Sequence, residues 1–474
     1  MSSQIGDHAL VIGASMAGLL AARVLTDGYG QVTVIDRDEL PETPTHRRGV
    51  PHGRHIHALG ARGQQVLEEL FPRLTADLVD AGAPAGDILT DARFCLSGHR
   101  LRQARTGLLL LCASRPFLEG HVRARVRAFS NLRFLEASEV VGLATTPDRR
   151  RVTGVRVLRR AGDHAEELMG ADLVVDASGR GSRAPVWLET LGYPRPEREE
   201  VQIGLGYATR TYRLPPDAVD GNLAVLDAAT PQLPRTGAFQ RLEGDRWMLT
   251  LAGILGDHPP TDPDGFLDFA RSLRFPDIYE AVRDAEPLDA PIRFRFPASV
   301  RHRYERQDRF PTGFLAVGDA VCSFNPIYGQ GMSVAALEAL TLRRHLERGV
   351  EPQPRRWFRD LARVLDVPWD MSAGGDLLFP GVPGRRTLKN RLLGGYLTRL
   401  HAAAADDAHL ATAFIRVAGL VAPPRSLLSP GIALRVLRGG LGRRMLNRPG
   451  VSRELPCSGE RPHEFLSPRP PRGA

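Results

Sequence analysis

A short apolar run, ALVI at residues 9–12, gives way to the small-residue stretch GASMAG, then to LLAARVLTDG, whose apolar positions recur at helical spacing before a glycine stop, and then to VTVID. This order predicts a βαβ unit. Two further runs, ADLVVD at 171–176 and FLAV at 314–317, are apolar throughout and pass straight into glycine-bearing loops. Such runs predict buried strands of one parallel sheet whose carboxyl ends share a ligand. Between them the pattern changes. Residues 203–213 (IGLGYATRTYR), 246–254 (RWMLTLAGI) and 290–296 (APIRFRF) mostly alternate and are separated by Pro/Gly/Asp loops, which predicts an antiparallel sheet. From Met332 the sequence MSVAALEALTLRRHLERG predicts a helix stopped at Gly349, and the chain beyond is mostly helical. Residues 449–474, rich in Pro and Arg and poor in apolar side chains, read as a disordered tail.

The first turn carries a nucleotide signature. Gly13 makes the tight turn, Ser15 is small enough for a pyrophosphate to approach, and Gly18 lets helix and strand pack closely; Met16 and Ala17 complete the helix start, where free N–H groups and the macrodipole favour an anion. Asp36, at the end of the next strand, stands where a carboxylate accepts from an adenosine ribose, with Arg37 beside it. A GxSxG nucleophile elbow is a poor fit, because two residues separate Ser15 from Gly18.

The second motif, GDAVCSFNPIYGQGM at 318–332, decides between dinucleotides. Gly318 hands the chain to Asp319 at the same end of the sheet, placed to accept from a polyol, and FAD has a ribityl chain where NAD has none. Pro326 fixes a bend, and Gly329 and Gly331 clear side chains so that backbone N–H groups can approach a flat ring. The helix from Met332 then aims its positive end at the ring edge that gains negative charge on reduction. At 47–59, RRGVPHGRHIHAL offers Arg47, Arg48 and Arg54 to a pyrophosphate, and His52, His55 and His57 read as a flavin-facing loop more than as a metal site, since no Cys or carboxylate joins them nearby.

Length and charge narrow the picture further. A chain of 474 residues suits two or three intertwined domains. The 63 Lys and Arg against 54 Asp and Glu give a net charge of +9, but Lys389 is the single lysine and arginine runs from end to end. Without an aromatic-interleaved basic face this predicts no nucleic-acid partner, and it favours anionic cofactors. Cys95, Cys112, Cys322 and Cys457 are scattered, which fits a reducing, cytoplasmic setting without metal or disulfide. The N-terminal apolar stretch lacks a basic n-region and is broken by glycines, and no 18-residue apolar run occurs, so neither a signal peptide nor a transmembrane segment is expected.

Together VIGASMAG, ADLVVDASGRGS and GFLAVGDAVCSFNPIYGQGMS resemble the FAD-dependent monooxygenases of the para-hydroxybenzoate-hydroxylase fold. The stretch 47–59 and the long second motif look most like the flavin epoxidases of bacterial polyether biosynthesis. The resemblance, covering roughly 8–370, implies an α/β protein: a Rossmann-like FAD-binding domain (1–80, 110–185 and 300–350) interleaved with an antiparallel-sheet substrate domain (81–109 and 186–299), then a helical C-terminal region (351–448). It implies Asp36 at the ribose, Asp319 at the pyrophosphate–ribityl region, Pro326 to Met332 along the isoalloxazine, and Asp176 and Gly179 of the middle motif also at the cofactor. It implies that a flavin C4a-hydroperoxide transfers one oxygen atom from O2, with no catalytic side chain. The expected product is an epoxide of an apolar natural product; aromatic hydroxylation and a reductase or dehydrogenase of the geranylgeranyl-reductase kind are the alternatives.

The chain also departs from that family. The middle motif reads Asp176-Ala177, without the Asp-Gly pair of self-reducing members, and no second GxGxxG exists for NAD(P)H. Electrons are therefore expected from a separate flavin reductase, with direct NAD(P)H reduction as the alternative. The WxWxIP motif of flavin halogenases is missing, and Lys389 lies far along the chain from both FAD motifs. Tyr207, Trp247, Leu249 and Phe296 are candidate walls of an apolar substrate pocket, and the Leu- and Arg-rich segment 386–446 reads as a packed subdomain, with a membrane-surface segment as the other reading.

Overall fold

The computed structural model describes residues 4–160 and 166–446, so the tail expected at 449–474 lies outside the described residues. A five-stranded parallel sheet runs in the order Phe314–Ala316, Leu173–Asp176, Gly6–Ile12, Tyr29–Ile35, Leu132–Leu135. Its register sets Ile35, Ile12, Asp176 and Ala316 in one row. Four loops, those after Ile12, Ile35, Asp176 and Ala316, therefore leave the sheet at one edge, and motifs some 300 residues apart in the chain become neighbours. The helix Met16–Leu25 packs against both Gly331–Leu346 and Arg115–Arg127.

The second sheet has nine strands, led by the long pair Glu197–Arg213 and Ile292–Arg303. It departs from the expected antiparallel pattern at one place: Ala92–Leu96 joins Ala224–Asp227 in parallel, because it enters the sheet from an earlier segment of the chain. At the opposite edge Cys322–Ser323 pairs with Ile292–Arg303, so the second motif is hydrogen-bonded directly into the large sheet. One face of that sheet is closed by the helices Pro263–Arg271 and Asp277–Val282, whose Phe266, Phe269 and Ile278 form a core with Tyr212, Phe239, Trp247 and Leu249. The other face is turned to the parallel sheet's loop edge.

The C-terminal helices Leu388–Ala404 and Ala408–Ala418 bury Leu400, Ala404, Leu410 and Ile415 against Leu89, Leu101 and Leu108. The late segment is thus a packed subdomain. Among the described residues no helix is long and apolar enough to cross a membrane.

Candidate active site

Where the loop edge, the large sheet and the C-terminal helices meet, they enclose a cavity of about 2080 Å³. That is roughly twice the volume of an ordinary small-molecule pocket, room for more than one ligand. The two sequence motifs touch within it. A Cβ on Gly318 would stand 2.7 Å from that of Ala17, and Gly13, at φ +102°, has its own Cβ direction blocked by the Ala177 carbonyl at 2.6 Å. Gly18 lies off the cavity wall, where a Cβ would meet the Gly13 carbonyl at 1.8 Å; it serves close packing.

Both ends of the cavity present polar groups that the protein leaves without partners. Ser15 does not cap its own helix: its Oγ donates to Glu119 (2.9 Å) and accepts from Arg115 (2.8 Å). The first-turn N–H groups of Met16 and Ala17, which have no helical acceptor, are left for an anion on the cavity side. At the far end Gln330 likewise leaves the helix Gly331–Leu346 uncapped, and its Oε1 is buried without a partner. A Cβ on Gly331 would meet nothing within 4 Å, so the space ahead of that helix is open for a flat ring. These orphaned groups fit a dinucleotide that spans the two helix starts.

The acids divide by role. Asp36 accepts from Ala14 N–H (2.7 Å), Asp38 N–H (2.9 Å) and Arg47 (3.2 Å), and it lies on the cavity wall with Arg37. Arg47, not Arg48 or Arg54, turns inward to Asp36, Asp38 and Glu119. Arg48 and Arg54 are exposed and off the wall. The cause is the turn Arg47–Val50, which the Gly49 N–H pins to Asp38 (2.6 Å), so that successive side chains point in and then out. Asp176 is also off the wall, contrary to expectation. Its carboxylate is wholly buried, raised by that burial, and taken up by Ser178 and Ser182 hydroxyls (2.6 Å each), so it shapes the loop that presents Ser178 and Gly179.

Asp319 opens onto the cavity. Its depth in the protein raises its pKa, and Arg180, Arg115 and Ser323 offset this only in part. Behind it Glu338 accepts from Gly318 N–H (2.6 Å), and burial, reinforced by Asp319, pushes it up to about 8. Glu338 therefore holds its proton near neutral pH beside Asp319. A second buried acid, Asp376, accepts from Asn325 (2.8 Å) and from the hydroxyl of the wall residue Tyr328 (3.1 Å), and burial pushes it up to about 7.

The large sheet supplies an aromatic wall. Across three strands Ala252, Tyr207 and Phe294 stand in register, and Phe296 follows Phe294 on the same face, covered by Arg180 at 4.2 Å. Trp247 and Leu249, expected here, point to the opposite face and belong to the core under the sheet, while Thr250 and Ala252 face the cavity. The expectation failed on strand parity. His55 leans edge-on against Tyr207 (4.5 Å between ring centres) and bonds Thr209 (2.8 Å). Burial lowers His52 to about 4 and His55 to about 3, with Arg115 next in effect on the first and His52 on the second, and it drives His57 well below its ordinary value. The three imidazoles are neutral at pH 7. Among the described residues no group of three His, Cys, Asp or Glu is placed to hold a metal ion.

No protein-family model matches the chain. Protein Rv3254 of Mycobacterium tuberculosis (strain ATCC 25618 / H37Rv) is 39% identical over 408 residues, 80% of this chain and 82% of that protein. The chain belongs to the same family. Kynurenine 3-monooxygenase of Salinispora arenicola (strain CNS-205) is 28% identical over 360 residues, 71% of each chain. Among solved structures, a flavoprotein/dehydrogenase from Cytophaga hutchinsonii aligns with a TM-score of 0.65 at 14% identity, over 93% of this chain and all of its own. The flavin-dependent brominase Bmp2 aligns at 0.62 and 16% identity, over 94% of this chain and 100% of its own. These likenesses show the fold: a Rossmann-like FAD-binding α/β unit with antiparallel sheets and C-terminal helices, the para-hydroxybenzoate-hydroxylase architecture.

Within this member of the Rv3254 family, several wall residues escaped the sequence reading. Arg115 and Glu119 form a buried i,i+4 pair (2.9 Å) at the start of a helix capped by Ser114, and the stretch SRPFLE carried that signal. Phe294 was legible from its two-residue spacing to Phe296. The pairing of Tyr328 with Asp376 was not, because Asp376 lies at the end of a helix, Pro354–Asp376, with no motif of its own. Lys389 lies on the outer rim of the same cavity, exposed and paired with Asp370 (3.0 Å).

Proposed function

We propose that the chain is a FAD-dependent monooxygenase that hydroxylates an apolar, ring-bearing small molecule. One observation carries this reading: the cofactor cradle and an apolar chamber are a single cavity, with Tyr328 on its wall beside the Pro326–Gly329 bend and Asp376 buried behind it at 3.1 Å. FAD, when bound and reduced, would supply the oxygen activation; O2, two electrons and two protons convert a substrate C–H to C–OH and water. Ser15, Met16, Ala17 and Arg115 would hold the pyrophosphate, Asp36 the ribose, Asp319 the ribityl chain, and Pro326 to Met332 the ring. Tyr207, Phe294 and Phe296 exclude water.

Hydroxylation of an aromatic ring is helped by a base that withdraws a substrate proton and raises ring electron density. Burial and Asp376 hold the Tyr328 hydroxyl well above its ordinary pKa, so it would act as a relay, accepting that proton only as its own passes to Asp376, which burial raises to about 7. An alkene needs no such base. The pair, together with the likeness to kynurenine 3-monooxygenase, therefore favours hydroxylation over the epoxidation suggested by the epoxidase resemblance. Electrons come from NAD(P)H, through a separate flavin reductase, as the missing Asp-Gly pair suggests. A reductase or dehydrogenase is the second reading, supported by the Cytophaga fold.

Oxygen-18 gas separates these readings. Reduced holo-protein mixed with labelled O2 and a panel of phenols and anilines is expected to give a product carrying one labelled atom. Tyr328→Phe and Asp376→Asn are expected to lower the yield about 100-fold while FAD binding is retained. Turnover without label would establish the reductase, and label in a polyene with both variants unimpaired would return the reaction to epoxidation.

A further inference from the structure

The net charge of the chain is not evenly spread. Residues 377–446 hold eleven Lys and Arg against only Asp406 and Asp407, a net +9, which equals the charge of the whole molecule. Residues 447–474 hold five Arg and three Glu, so residues 1–376 carry a net −2. Arginine is frequent everywhere, but carboxylates balance it everywhere except in the C-terminal helices.

The same segment exposes leucine. Leu388, Leu392 and Leu428 are 71%, 66% and 59% exposed, and Leu393 is also exposed. Leu392, Leu393 and Leu428 at the same time line the cavity, so they form its open rim. Tyr396, one turn beyond Leu392, donates to the Leu427 carbonyl, which ties the helix Leu388–Ala404 to the short turn Pro424–Leu428 and makes the rim one patch. Arg391 and Arg425 stand on that rim, and neither is paired with a carboxylate among the described residues. Solvated apolar side chains beside unpaired cations are a cost that a monomer in water has no reason to keep.

We infer that this rim is a docking surface for an anionic lipid bilayer, with the exposed leucines at the acyl boundary, the arginines among the headgroups and the cavity mouth opening onto the membrane. Other occupants suit it less. A second copy would bring the same basic rim against itself, and residues 447–474 carry a net +2 and so offer no counter-charge. An acidic protein would satisfy the arginines but gives no reason for exposed leucines to surround the mouth of an apolar cavity. A bilayer satisfies both, since basic side chains are attracted to an anionic surface and buried apolar area adds to that attraction. The inference does not depend on the reaction proposed above.

The test is sedimentation of holo-protein with vesicles of phosphatidylcholine alone or mixed with phosphatidylglycerol, at low and high salt, with FAD retention reporting the fold. Wild type is expected to sediment with the mixed vesicles about tenfold more than with the neutral ones, and high salt should release it. Leu392→Asp combined with Leu428→Asp should lose most of that binding. Leu168→Asp, which removes an equally exposed leucine from a remote strand, should not. Should the double variant lose its FAD, Leu388→Asp serves alone. No sedimentation with mixed vesicles overturns the inference, as does equal sedimentation of wild type and the rim variants. Light scattering that shows a wild-type dimer abolished by the rim substitutions would assign the face to a second copy instead.

Discussion

Glu338 shows how a single side chain sets the charge beside Asp319. It accepts from Gly318 N–H and is held, by burial and by Asp319, at a pKa of about 8, far above the range of a free carboxylate near 4.3. The folded protein therefore binds this proton more tightly than the unfolded chain does. The stability it contributes is complete below the unfolded pKa and is lost as pH rises through about 8. Glu338→Gln keeps an acceptor for Gly318 and removes the titration. The expected outcome is a melting temperature of wild-type holo-protein that falls, relative to the variant, between pH 5 and pH 9. With each kcal/mol moving Tm by roughly 2 °C in a chain of this size or somewhat less, a divergence of several degrees is expected. Calorimetry across that range checks it; parallel curves would mean that Glu338 is already ionised at neutral pH beside Asp319.

At the scale of elements, the two helix starts make opposite demands on glycine. Gly13 is needed by the chain itself: its φ of +102° and the Ala177 carbonyl at 2.6 Å leave no place for a side chain. Gly331 is needed only by what lies ahead of it, since its φ is unremarkable and a Cβ there meets nothing within 4 Å. Gly13→Ala is expected to lower the Tm of the apo-protein, whereas Gly331→Val should leave that Tm within a degree or two and weaken FAD binding by about tenfold or more. Apo-protein melting and flavin fluorescence titration separate the two effects. This distinction marks the limit of sequence reading. The parallel strands and both motifs were legible because apolar runs that end in glycine loops leave few alternatives, and the register of Ile12, Ile35, Asp176 and Ala316 follows from the topology. Strand parity was not legible at 246–254, where the alternation of RWMLTLAG is weak: Met248 and Ala252 make the second face apolar too, so nothing in it shows that Trp247 and Leu249 face the core while Thr250 and Ala252 face the cavity. Side chains brought together by tertiary contact, such as Tyr328 and Asp376, leave no local trace at all.

At the scale of the whole molecule, charge acts on the cofactor over two distances. Arg37, Arg47, Arg115 and Arg180 line the cavity, Lys389, Arg391 and Arg425 stand at its rim, and the segment 377–446 that bears these last three has a net charge of +9. Screening tells these apart, because the Debye length falls from about 30 Å at 0.01 M salt to about 10 Å at 0.1 M and about 3 Å at 1 M. The helices attract a doubly negative dinucleotide from well outside the cavity, and their influence should vanish over the first tenfold rise in salt. The cavity arginines act at contact and should persist to the second. The association rate of FAD with apo-protein is therefore expected to fall about tenfold between 0.01 and 0.1 M salt, within the usual range of electrostatic steering, and by less between 0.1 and 1 M. The dissociation rate should change little, since Arg47 and Arg115 are shielded from solvent ions by burial. Stopped-flow quenching of flavin fluorescence measures both. A flat association rate over the first interval would show that the C-terminal charge does not reach the cofactor's path, and hence that FAD enters from the side of the parallel sheet and not through the leucine rim.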